Sequence, residues 1–354
     1  MTRQQLPAAE LELLRHHGDV DAAACLLDFA VNVRDDRPPA WLTDALTGAL
    51  ARLAEYPSAE LDLAAREAVA ARHGRHPDEV LLLNGAAEGF TLLPALARRR
   101  AAVIHPSFTE PEVALRAAGV PVDRVLLDET DGYRLRPSMV GEDADLVVLG
   151  NPTNPTSVLH PASAVAELAR AGRVVAVDEA FADAVPGEVE SLAGRRLPGL
   201  LVLRSLTKTF ALAGLRAGYL LGEPQLLARL ARQRPMWPVG TLTLEAVRAC
   251  STPAAVAEAA SGAAELARHR EWLIAALATL PCVRVHQPAS APFLLLRVPN
   301  GPRLRSALRR RGIAVRRGDT FPGLTSEHMR VAVRAPKRAS VLVTALAEEL
   351  EVLG

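Results

Sequence analysis

Arg204-Ser205-Leu206-Thr207-Lys208-Thr209-Phe210-Ala211-Leu212-Ala213-Gly214-Leu215-Arg216-Ala217-Gly218-Tyr219 decides the reading of this chain. It follows the apolar run Leu200-Leu201-Val202-Leu203, so one lysine stands just past a buried strand, with hydroxyls beside it and an arginine a little further along. A lone lysine is ordinarily a surface group. One that is buried near cations such as Arg216 and Arg204 has its ammonium form disfavoured, and a neutral amine can attack an aldehyde.

Working outward, the runs Val80-Leu81-Leu82-Leu83, Ala101-Ala102-Val103-Ile104, Asp145-Leu146-Val147-Val148-Leu149 and Arg173-Val174-Val175-Ala176-Val177 are apolar almost throughout, and helical periodicities separate them. Continuous apolar runs mark strands covered on both faces. The chain is therefore expected to be α/β, a mostly parallel sheet flanked by helices in a large domain, plus a smaller α+β C-terminal domain. The expected divisions are an N-terminal arm over 1–37, a large domain over 38–242 and a small domain over 243–354, with the arm packing on the small one. Long helices are expected over about 243 to 280, then strands near Val283, Phe293–Val298, Ile313–Val315 and Met329–Val333, and a terminal helix from about 337.

With 354 residues, 49% of them hydrophobic, the chain can bury substantial cores. Its 41 basic and 40 acidic residues leave a net charge of +1, which gives no global attraction to nucleic acid or to a membrane surface. Cys25, Cys250 and Cys282 form no CxxC pair and no metal spacing, so neither a disulfide framework nor a metal site is expected, and a reducing cytoplasm fits. The start, Met1-Thr2-Arg3-Gln4-Gln5-Leu6-Pro7, lacks a signal peptide's apolar core.

In open α/β sheets ligands gather beyond the carboxyl ends of the strands, and here polar residues cluster at those ends. Asn84-Gly85-Ala86-Ala87-Glu88-Gly89-Phe90 opens a helix whose amides suit a phosphate, although an ordinary strand-to-helix turn reads the same. His105-Pro106-Ser107-Phe108 offers an aromatic face, or a core phenylalanine. Asn151-Pro152-Thr153-Asn154-Pro155-Thr156 is more specific, because two Asn-Pro steps restrict the backbone and aim the Asn154 amide. Asp178 ends another buried run and needs a cation, either a neighbouring arginine or a protonated pyridine nitrogen. Arg316 and Arg317 follow one C-terminal strand, and Arg330 and Arg334 share a face of another, as a substrate-anion site or a solvated basic face. Lysine, aspartate, amide, aromatic and phosphate cradle together suit the Schiff-base lysine of a pyridoxal-phosphate enzyme.

These residues resemble the fold-type I pyridoxal-phosphate enzymes, in the aminotransferase branch that holds histidinol-phosphate aminotransferase and L-threonine-O-3-phosphate decarboxylase. The resemblance runs from about His16 to the C-terminal helix. It implies that Lys208 is the Schiff-base lysine, that Asp178 meets the pyridine nitrogen, that Asn154 bonds the ring's phenolic oxygen and that Phe108 stacks on the ring. Ala86, Ala87, Ser205, Thr207 and Arg216 fall at the phosphate-binding positions. Tyr56, in Glu55-Tyr56-Pro57, matches a tyrosine that reaches the phosphate across a dimer interface, which implies a homodimer. Arg330 matches the arginine that holds the substrate carboxylate, and His17, Asn32 and Arg316 are expected to share the placing of carboxylate and phosphate.

Within the branch, His17-Gly18-Asp19, Asp28-Phe29-Ala30-Val31-Asn32, Asp178-Glu179-Ala180-Phe181 and Arg330-Val331-Ala332-Val333-Arg334 look more like the decarboxylase of cobalamin side-arm synthesis. Phe181 replaces a tyrosine that donates to the phenolic oxygen in many aminotransferases of this fold. The chain departs from the family around Arg34-Asp35-Asp36, at Ser157, at Pro111 and at Gly240. The resemblance thus implies first the decarboxylation of L-threonine O-3-phosphate to (R)-1-amino-2-propanol O-2-phosphate. The alternative is aminotransfer between histidinol phosphate and 2-oxoglutarate, and a third reading is a catalytically silent cofactor-binding protein. The expected partner is a phosphorylated amino acid or amine.

Overall fold

The computed structural model describes residues 6–23 and 25–353; Met1–Gln5 of the expected arm, Ala24 and Gly354 lie outside them. Two sheets organise the chain. Seven strands, β2 (Val80–Leu83), β3 (Ala101–His105), β4 (Val122–Leu126), β5 (Leu146–Gly150), β6 (Val174–Asp178), β7 (Leu200–Ser205) and β8 (Gly218–Gly222), stand in the order β2-β8-β7-β6-β5-β3-β4. All run parallel except β8, which is antiparallel to both β2 and β7. The second sheet joins β1 (Leu27–Phe29), β9 (Arg284–Val285), β10 (Phe293–Arg297), β11 (Ile313–Arg317) and β12 (His328–Ala332) in the order β1-β11-β12-β10-β9. This is the expected α/β architecture, with helices covering the larger sheet.

The apolar runs become strands because both faces are covered. Side chains of β5, β6 and β7 alternate between two clusters, Val147, Val175 and Val202 in one and Leu146, Ala176 and Leu203 in the other. A third cluster, around Phe29, Leu294, Val315 and Val331, fills the smaller sheet. Two strands lacked a run to announce them. β4 reads Val-Asp-Arg-Val-Leu because it is the sheet edge, where Leu126 is half exposed. β8 lies within the lysine segment, and its terminal glycines allow close packing: a Cβ on Gly218 would meet the Arg204 carbonyl at 2.8 Å, and one on Gly222 the Leu201 side chain at 2.4 Å. The long helices expected over about 243 to 280 are two, Thr241–Cys250 and Pro253–Leu277. Pro253 starts the second, and the Thr252 hydroxyl caps it by accepting from the Ala255 N–H.

The chain enters through two short helices, α1 (Ala8–Leu14) and α2 (Gly18–Ala22), and then β1, which pairs in parallel with β11. The arm thereby lies across the carboxyl ends of the large sheet. No helix among the described residues is long and apolar enough to cross a membrane.

Candidate active site

Five strand ends of the large sheet and the arm enclose a cavity of about 470 Å³, within the range of small-molecule sites. Its walls bring together Lys208, Asp178, Asn154, Phe108, Ala86, Ala87, Ser205, Thr207 and Arg216 from the large sheet, with His17 and Asn32 from the arm and Arg316 and Arg330 from the small sheet. Tyr56 is not among them. It is 75% exposed and stacks on Trp237 at 4.2 Å between ring centroids, away from the cavity of its own chain. Asp19 and Phe321 also line the cavity; no local pattern distinguishes either from a surface acid or a core aromatic.

Lys208 occupies the turn after β7, and its carbonyl accepts the Arg34 N–H at 3.0 Å. Burial lowers the Lys208 ammonium to about 8, helped by the charges of Arg330 and Arg216 and opposed by Asp178 and Asp19. Arg204 does not supply this field, contrary to expectation. Its side chain turns away into a buried network with Asp183, Glu179 and Glu188, and Asp183 also pairs with Arg72 at 2.8 Å. Arg330, from the other sheet, takes the role expected of Arg204.

The same network separates two adjacent acids. Glu179 is the one with an arginine partner, Arg204 at 3.1 Å. Asp178 opens onto the cavity yet lies deep in the protein, and burial pushes it up to about 7; the Ala180 N–H, at 3.1 Å, opposes the shift. A buried carboxylate held mainly by one amide is unfinished chemistry that a cationic ring nitrogen completes.

At the opposite end Gly85, at φ +83°, precedes the helix Ala86–Leu92. A Cβ there would lie 2.9 Å from Arg216 Nη2, so the glycine keeps room where backbone amides and a guanidinium face one another. Arg216 donates to the Ala213 carbonyl at 3.3 Å, and Ser205 and Thr207 add hydroxyls to this wall. The arrangement fits pyridoxal phosphate: amine, carboxylate, amide and aromatic face for the ring, and a cationic cradle for the phosphate.

Arg330 is 5% exposed. It donates to Asn154 Oδ1 at 2.6 Å and to the Ala30 carbonyl, both neutral acceptors, while its Nε has no partner among the described residues. Arg330 thereby orients the Asn154 amide and leaves the Nδ2 hydrogens to donate elsewhere. Arg334, grouped with Arg330 by strand alternation, is neither a solvated face nor a substrate group. It clamps the carbonyls of Asp28, Val31 and Val33.

The departures have local causes. Ser157 adopts φ +66°, the conformation for which glycine is favoured, and its hydroxyl accepts the Ala291 N–H at 2.8 Å. Pro111 stands in the first turn of the helix Glu110–Ala117, where no helical donor is lost. Arg34 lays its guanidinium on Gly262 of the long helix, where a Cβ would come within 1.8 Å. Gly240 precedes the helix Thr241–Cys250.

The model of the family "Aminotransferase class I and II" matches residues 25–347. A histidinol-phosphate aminotransferase of Mycobacterium tuberculosis is 53% identical over 343 residues, covering 97% of this chain and 93% of the relative. A threonine-phosphate decarboxylase of Salmonella typhimurium is 32% identical over 350 residues, covering 94% of this chain and 95% of the relative. The solved histidinol-phosphate aminotransferase from Clostridium acetobutylicum superposes with a TM-score of 0.83 at 25% identity, covering 91% of this chain and 98% of the other. With strand order, cavity and sequence in agreement, the chain belongs to the class I and II aminotransferases, a family of pyridoxal-phosphate-dependent enzymes.

Proposed function

We propose that this protein is an aminotransferase of the histidinol-phosphate type, which moves the amino group of a small phosphorylated amine to 2-oxoglutarate. The observation that carries the choice is the 53% identity to a mycobacterial relative named histidinol-phosphate aminotransferase, against 32% to the one named threonine-phosphate decarboxylase. It reverses the order expected from the sequence, in which decarboxylation stood first.

Pyridoxal phosphate, when bound, supplies an electron sink for the charge left at the substrate's α-carbon. Asp178 keeps a proton on the ring nitrogen by remaining ionised beside it, and Asn154 donates to the phenolic oxygen. The amides of Ala86 and Ala87, the Ser205 and Thr207 hydroxyls and Arg216 bind the phosphate, and Phe108 packs against the ring. Lys208 would hold the cofactor's aldehyde end, and its Nζ would take up and return the substrate's α-proton. Its lowered ammonium pKa keeps a useful fraction of that nitrogen unprotonated near neutral pH. Arg330 orients a substrate carboxylate, while Arg316, Asn32 and His17 face the phosphate end. A second copy of the chain would bring Tyr56 to the phosphate. The same reading treats 1–37 as an arm over a large domain, 38–242, and a small one, 243–354.

A second reading, decarboxylation of L-threonine O-3-phosphate, is favoured by Phe181, which lines the cavity without a hydroxyl and packs on Phe293 at 5.0 Å. A half-reaction separates the two. Histidinol phosphate alone should convert the bound cofactor stoichiometrically to its amine form, and 2-oxoglutarate should restore it. Carbon dioxide release from threonine phosphate, with no conversion by histidinol phosphate, would replace the first reading by the second.

A further inference from the structure

We propose that Glu110 is a positioning residue: it holds the His17 imidazole in the orientation that presents a donor to the substrate's phosphate. The proposal rests on the reading that the substrate is phosphorylated.

Glu110 follows Phe108 and Thr109 and begins the helix Glu110–Ala117, on the large-sheet side of the cavity. His17 lies on the arm, immediately before α2, and lines the cavity. Nε2 of His17 is 2.6 Å from Glu110 Oε1, and its ring centroid is 5.4 Å from that of Phe108 at an angle of 38°. The arm backbone is fastened on both sides of His17. On one side the Thr109 hydroxyl donates to the Leu14 carbonyl at 2.5 Å and Arg124 pairs with Glu10 at 2.6 Å. Arg316 donates to the His16 carbonyl, directly before His17, at 2.6 Å, and on the other side it pairs with Asp21 at 3.2 Å. With the backbone fixed, the side-chain torsions of His17 remain to be set, and Glu110 is the polar group that sets them.

The donor count gives this a purpose. Arg316 commits its terminal nitrogens to Asp21, Thr320, the His16 carbonyl and the Arg317 carbonyl. An imidazole whose Nε2 is held by a carboxylate has its Nδ1 edge left to meet an anion, with Glu110 behind it to balance charge. The other charged groups on this part of the cavity wall are Asp19, on the arm itself, and Arg316. Glu110 reaches substrate only through His17.

The test uses holoenzyme of the wild type, Glu110→Ala, Glu110→Gln, His17→Ala and the double variant, with histidinol phosphate, with unphosphorylated histidinol, and with inorganic phosphate by calorimetry. Losing one charge-assisted hydrogen bond should raise KM for histidinol phosphate about 10-fold in Glu110→Ala, with kcat within about twofold and histidinol turnover unchanged. Glu110→Gln, which keeps an acceptor oxygen, should recover part of the loss, and Glu110→Ala should add nothing in the His17→Ala background. Inorganic phosphate should bind more weakly to Glu110→Ala. The proposal is overturned if the Glu110→Ala effect persists in full without His17, or falls equally on histidinol. If no amine is turned over, the aminotransferase reading fails, and the phosphate titrations still decide the role of Glu110.

Discussion

Replacing Arg330 by glutamine should separate the two half-reactions of the proposed aminotransfer. Burial, with Arg316 and Arg334 adding to it, pushes the Arg330 guanidinium down to about 9 despite the opposing charges of Asp21 and Asp28. Its partners, Asn154 Oδ1 and the Ala30 carbonyl, are neutral, and its Nε is unsatisfied among the described residues. A docking carboxylate supplies the missing counter-charge through a charge-assisted hydrogen bond worth about 1.5–3 kcal/mol, which is roughly 10- to 150-fold in affinity. 2-Oxoglutarate carries carboxylates and histidinol phosphate carries none. Arg330→Gln should therefore raise KM for 2-oxoglutarate by about 10- to 150-fold. It should slow the histidinol-phosphate half-reaction by less than about 10-fold, that remainder reflecting the loosened Asn154 amide and a Lys208 ammonium released toward its ordinary range. Stopped-flow spectra of each half-reaction, with circular dichroism to verify folding, make the measurement. Equal losses in both halves would refute the carboxylate role of Arg330.

Three further outcomes follow from the geometry. Because the folded apoprotein binds the Asp178 proton up to about pH 7, against about 3.9 in the unfolded chain, this group's contribution to stability is full below about pH 4 and is lost as pH rises through 7. The melting temperature of Asp178→Asn apoprotein should accordingly lose less between pH 4 and 7 than wild type, and an unchanged slope would contradict this. Gly85→Ala places a Cβ against Arg216 at a positive φ and should weaken pyridoxal phosphate binding by about 10-fold or more in equilibrium dialysis, whereas wild-type affinity would show that the cradle needs no glycine. Phe181→Tyr should give the cofactor's phenolic oxygen a donor and lower the titration midpoint of the lysine-bound cofactor's absorption by about one unit; no shift would place that ring out of reach of the oxygen.

Much of the large sheet was legible because β5, β6 and β7 are buried on both faces and so read as continuous apolar runs, each ending in or followed within a few positions by a polar residue that lines the cavity. Lys208, Asp178 and Asn154 were legible for the same reason. β4 was hidden by its edge position, and β8 by the glycines that let it pack closely. The protein partners of the arginines were not readable from local pattern. Arg204 and Arg330 each follow or lie within an apolar strand, but only the fold shows that Arg204 turns into the Asp183 network and that Arg330 crosses from the second sheet to Asn154. The choice between two reactions was equally beyond local pattern, because both use the same lysine, aspartate and arginine and differ in which α-carbon bond is held perpendicular to the ring.

The most direct test of the account supplies purified holoenzyme with histidinol phosphate and 2-oxoglutarate in one vessel and threonine phosphate in another, and quantifies glutamate and carbon dioxide in both. The account predicts glutamate formed one-for-one with histidinol phosphate consumed, and no carbon dioxide above background from threonine phosphate. Carbon dioxide released catalytically from threonine phosphate, with no glutamate from the first vessel, would contradict it.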